Sequence, residues 1–182
     1  MCIRDRAIIS TFGFPVVQQI IVFAEEVFEV SPFLFGLLGS AQGIGAVLAV
    51  PLVTGYVNFM KPSVQQLIAT VGYGFAVMIF ALAPSYTVAF FSLGILGIMH
   101  LISASNLNSV VQLQVDEEMR GRVMAIYLVG VLGPAPFAGL AMGLLVSAFG
   151  PRLVVALSGS ILAFLAVVLW FRGKFSDLNS TT

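Results

Sequence analysis

Charge is scarce in this sequence: Lys, Arg, Asp and Glu together make up 9% of its 182 residues, against about a quarter in a soluble globular domain. Too few polar side chains remain to coat a surface facing water. Cysteine is nearly missing as well. Cys2 stands alone, which excludes an internal disulfide, a paired-thiol redox motif and a cysteine-rich metal centre. With His100 the one histidine, there is no HExxH motif and no support for metal ligation. A GxSxG elbow and a phosphate-cradling glycine loop are also lacking, and no carboxylate falls inside an apolar run. No enzyme constellation is present, and no cofactor is expected. The acidic and basic residues cancel to a formal net charge of zero, leaving no basis for a nucleic-acid partner.

Apolar residues fill the space that charge leaves. They account for 59% of the chain, its mean hydropathy is +1.07, and they gather into runs at about residues 7–24, 33–57, 65–83, 86–114, 123–149 and 153–171. At 1.5 Å per residue each run crosses a hydrocarbon core of roughly 30 Å. Turn-forming or charged residues separate them, among them Glu25-Glu26, Lys61-Pro62, Pro84-Ser85 and Gly150-Pro151-Arg152. The runs are twice the length of a spanning β-strand and do not alternate, which argues against a barrel. The expected fold is an all-α membrane protein of six transmembrane helices in one domain, residues 7–172. Residues 1–6 read as an atypical leader and residues 173–182 as a polar cytoplasmic tail. The leader lacks a small-x-small cleavage site, so the first helix is read as retained. It also resembles the ends of translated environmental assemblies, and the chain is read as a fragment.

Alternating the connections across the bilayer puts Arg4, Arg6, Lys61, Arg120, Arg122, Arg172 and Lys174 on one side and Arg152 on the other. The positive-inside rule then makes both termini cytoplasmic in a multi-pass protein of the inner (plasma) membrane.

Polar residues at membrane depth are the candidate functional groups, because lipid tolerates them only when they are paired or line a cavity. The fourth run holds the most. At about 100° per residue, Gly97, His100, Ser103 and Asn108 share an arc of roughly 140°, a face for a water-filled cavity or, equally, for bonding between helices. In the first run Thr11 and Gln18 share a face with Pro15 between them, which removes a backbone donor and predicts a bend. Gln42 lies among small residues of the second run. Pro134 and Pro136 cannot both sit in undisturbed helix, so a bend is expected in the fifth. The spacings Gly36/Ser40, Gly39/Gly43 and Gly139/Gly143 suit close backbone approach. Asp116, Glu117, Arg120 and Arg122 form a mixed-charge connector that reads either as a cytoplasmic gate or as a topological anchor.

The run from Asn106 to Met124, with its Asp116-Glu117-Glu118-Met119-Arg120-Gly121-Arg122 centre, resembles the connection between the tenth and eleventh helices of major facilitator superfamily transporters, in the branch of the enterobactin exporter and multidrug effluxers. Val115 stands where that branch often has proline. Phe12-Gly13-Phe14-Pro15 and the stretch from Gly36 to Ala46 resemble the same branch's seventh and eighth helices. The resemblance implies helices seven to twelve: the C-terminal half of a transporter, packed against an N-terminal six-helix half or a second copy. The first, second, fourth and fifth spans would face the cavity, with the third and sixth outside. It implies export of a small amphipathic molecule by alternating access, with proton coupling through His100 or through the other half. The rival reading is a non-transporting membrane scaffold or assembly subunit whose polar residues only join helices.

Overall fold

Proline sets where several helices begin. The computed structural model describes residues 20–55, 60–113 and 115–172, and among these every regular element is helical. A short helix, α1 (Ile20–Val22), runs into a π-wound turn, Phe23–Val27, closed by the Phe28 N–H on the Phe23 carbonyl at 3.0 Å. Then come α2 (Pro32–Thr54), α3 (Pro62–Ala81), α4 (Tyr86–Leu113), α5 (Arg120–Leu132), α6 (Ala135–Phe149) and α7 (Pro151–Phe171). Pro32, Pro62 and Pro151 each stand in the first turn, where a backbone N–H has no helical partner and its loss costs nothing. For that reason α3 and α7 start a few residues before the apolar runs that announce them. Likewise Glu25 and Glu26, expected in a loop, belong to the π-wound turn and are exposed. Arg120 and Arg122, expected in the connector, occupy the first turn of α5.

Among the described residues, five stretches are long and apolar enough to cross a membrane: α2, α3, α4, the α5–α6 pair and α7. The break inside the α5–α6 pair has a covalent cause. Pro134 and Pro136 have no N–H to give to the carbonyls of Gly130 and Leu132, so the helix stops at Leu132 and restarts at Ala135. Gly150, at φ 83°, makes the turn from α6 into α7 in a backbone region closed to other residues.

Helices in lipid gain little from burying apolar surface against one another, so close backbone approach and hydrogen bonds decide who packs with whom. Here α4 packs on α2 and α3, and α3 packs in turn on α7. At the α2–α4 crossing a Cβ on Gly45 would collide with the Gly94 carbonyl, and one on Gly97 with the Gln42 carbonyl. At the α3–α7 crossing a Cβ on Gly74 would stand 2.7 Å from the Gly159 carbonyl oxygen. These are not the glycines that spacing singled out. Gly36, Gly39, Gly43 and Gly143 have open space where a Cβ would go, because a four-residue interval marks a smooth helix face without saying which neighbour uses it. The third span, placed outside by the resemblance, lies between α4 and α7 and has the largest buried share of the five stretches.

Aromatic rings close one end of the bundle. Phe23 stacks at 4.6 Å on Phe80 of α3, Phe28 meets Tyr86 edge-on, and the Tyr86 hydroxyl donates to the Leu34 carbonyl at 2.9 Å. The α1 end, α2, α3 and α4 are thereby joined at one level.

Candidate functional site

The polar residues of α4 part company along the helix. Gly97 turns to α2, where the crossing leaves no room for a side chain. Ser103 and Asn106 turn to α3. There Gln66, fully buried, donates from Nε2 to the Ser103 hydroxyl at 2.8 Å and to the Thr70 hydroxyl at 3.0 Å. Asn106 donates from Nδ2 to Gln66 Oε1 at 3.3 Å and to the Pro62 carbonyl at 2.8 Å. Thr70 returns its own hydroxyl hydrogen to the Gln66 carbonyl at 2.8 Å. Every amide hydrogen of Gln66 and Asn106 is thus used inside the contact, which is the condition for burying such groups at modest cost.

His100 lies between these two contacts. Leu93, Leu96, Leu107 and Val111 fall within about 40° of its direction around the helix, and all four are buried. His100 itself is exposed. A seam that is closed above and below therefore opens at one residue near mid-helix. Its imidazole lies 6.0 Å, centroid to centroid, from the ring of buried Tyr73 on α3. The opening has α2 on one flank, with part-buried Gln42 at the crossing, and α3 on the other. Asn108, also part-buried, is two turns further along α4. An exposed imidazole near a buried phenol can donate and accept hydrogen bonds and can carry a proton.

Thr11, Pro15 and Gln18 lie outside the described residues. Asp116, Glu117, Arg120 and Arg122 are all exposed at the α4–α5 turn, remote from His100 along the chain. That turn is closed by the Met119 N–H on the Asp116 carbonyl at 3.0 Å. No group of three or more His, Cys, Asp or Glu residues that could hold a metal ion occurs among the described residues. Gln66 and Thr70 were missed by sequence reading. The third run is otherwise apolar, and the signal available was that Gln66 recurs with Ser63 and Thr70 at helical intervals, the mark of a polar stripe on one face.

An all-helical bundle with five membrane-length apolar stretches and a polar opening at mid-span defines a multi-pass membrane protein. Residues 7–181 match the family described as transmembrane secretion effector, and the chain belongs to that family of the major facilitator superfamily. It is also 28% identical over 142 residues to the enterobactin exporter EntS of Salmonella choleraesuis, an overlap of 78% of this chain and 33% of that protein. The chain thus matches about a third of the length of the curated relative.

Proposed function

We infer that the chain supplies the C-terminal half of a secondary transporter that exports a small amphipathic molecule by alternating access between two halves. The observation that carries this reading is the opening at His100: an ionisable residue exposed at mid-span on a seam otherwise closed by leucine and valine. A charged or polar group in that position is costly in lipid and is retained where it meets water or a ligand. Gln42, His100 and Asn108 would contact the substrate, with His100 the proton-carrying candidate within this half. Thr11 and Gln18 on the first span are proposed for the same cavity. Asp116, Glu117, Arg120 and Arg122 are proposed for the inner gate, the break at Pro134 and Pro136 for local bending, and Pro15 for a further bend. The other partners are the lipid bilayer and either an N-terminal six-helix half or a second copy of this chain. The location is the inner membrane, with both termini cytoplasmic.

The scaffold reading has one observation in its favour: Ser103, the polar residue one turn from His100, spends its hydroxyl on Gln66 between two helices. Efflux from proteoliposomes separates the readings. Vesicles holding the chain alone, and vesicles holding it joined to its upstream genomic sequence, are loaded with enterobactin or with a lipophilic cationic dye. Efflux that requires the longer protein and drops at least tenfold with His100→Ala supports the half-transporter. Efflux by the chain alone supports a second copy as partner. Silence from every version with both compounds supports the scaffold.

A further inference from the structure

Gln66 does more than join two helices, because of where its partners stand. Ser103 and Asn106 are three residues apart, on adjoining strips of α4, and one side chain holds both. Asn106 reaches past Gln66 to the Pro62 carbonyl, in the first turn of α3. Turning α4 by the 100° of a single residue would break all three bonds between the helices. The side-chain amides of Gln66 and Asn106 would then lose partners where water is scarce. The other close contact of α4 has no such directionality. At Gly45, Gly94 and Gly97 backbone meets backbone, which sets the distance between α2 and α4 and resists a turn that would bring a side chain into the crossing, but makes no directional bond. The Tyr86 hydroxyl bond also fixes α4, but at its far end, about 21 Å from His100. Gln66 therefore supplies the directional bonds at the middle of α4.

We propose that Gln66 is the positioning residue of the His100 opening: by gripping Ser103 and Asn106 it fixes the rotation and register of α4, and so keeps His100 turned into the gap between α2 and α3. That the gap receives a transported molecule rests on the transporter reading; the rotational lock stands apart from it.

The test is cysteine accessibility in the full chain, purified in detergent, with Cys2→Ser as background. Single cysteines replace His100, which is exposed, and Ile102, which is 8% exposed on another face of the same turn. A water-soluble maleimide is expected to label position 100 about tenfold faster than position 102. Adding Gln66→Leu brings the two rates within about threefold of each other, as α4 samples other rotations. The combination Gln66→Leu, Ser103→Ala and Asn106→Leu does the same without stranding a buried amide, and stands in if the single variant does not fold. Thr70→Val removes two bonds, both within α3, and leaves the ratio unchanged, which a general loosening of the bundle would not do. A ratio unaltered in the triple variant overturns the proposal, as does a collapse with Thr70→Val equal to that with Gln66→Leu. If no version transports any compound while the labelling ratio still responds to Gln66, the transporter reading fails and the lock survives.

Discussion

The third span and the fifth are similarly apolar and differ in almost everything else. Half of the most apolar window of α3 is buried (50%), whereas for the α5–α6 stretch the figure is 11%. Hydropathy sorts residues between water and lipid and is silent on their arrangement within lipid. What α3 has and α5–α6 lacks is the means of adhering to a neighbour: Ser63, Gln66 and Thr70 on one strip, and Gly74 seated against Gly159 on another. The α5–α6 stretch instead presents Val129, Phe137, Leu140 and Leu144, all about 70% exposed or more. Such a surface suits lipid, and the two regions form a braced frame and an outlying limb.

Overpacking the frame should have the largest effect. Gly74→Leu forces a branched side chain into the α3–α7 crossing, where a single Cβ already meets the Gly159 carbonyl oxygen at 2.7 Å. A loss of about 3 kcal/mol is expected, read as a fall in the midpoint of thermal unfolding in detergent; the same change at Gly143, with open space around it, should leave the midpoint within about 0.5 kcal/mol. Equal effects at the two glycines would erase the contrast. Removing the polar lock comes next. Gln66→Ala leaves one Asn106 amide hydrogen unpaired and a void beside it, for about 2 kcal/mol. Third, backbone amides around residues 128–140 should exchange with deuterium at least tenfold faster than those of 66–77, and Pro134→Ala with Pro136→Ala should slow them by restoring two helical donors. The smallest effect belongs to Leu140→Ala and Leu144→Ala, within about 0.5 kcal/mol for this chain by itself. A larger loss once the upstream sequence is attached would show that the limb is covered by it.

The fold was readable in the sequence because its signal is coarse. Runs of some twenty apolar residues separated by charge or proline leave few alternatives to a helical bundle, and Asp116 to Arg122 with its flanks pointed to the superfamily. Helix ends were less readable, since apolarity does not register Pro62 or Pro151 as the first helical residue although chemistry favours proline there. The site was readable only in part. His100, Ser103 and Asn108 drew notice as polar residues sharing an arc, but an arc of 140° is wide enough to face two neighbours. The structure divides it: Gly97 goes to α2, Ser103 to α3, and His100 is left between them. Sequence does not say which of two flanking helices lies nearer, because that depends on the crossings at Gly45 and Gly74, long-range contacts invisible to local spacing. Gln66 escaped notice for the same reason. Its importance comes from partners some forty residues away.

The point where α2 and α4 cross has a mechanical meaning. The two helices are joined at the glycine crossing and again at the Tyr86–Leu34 bond, which makes the crossing a fulcrum for the Thr54 end of α2 alone. From Gly45 to the end of α2 at Thr54 the arm is about 14 Å. A tilt of about 10° there moves the tip by roughly 2.4 Å, more than the span of a carbon–carbon bond, while the fulcrum stays in place. His100 lies only about 4.5 Å along α4 from Gly97, close to the fulcrum, so the opening keeps its width while the end of α2 moves.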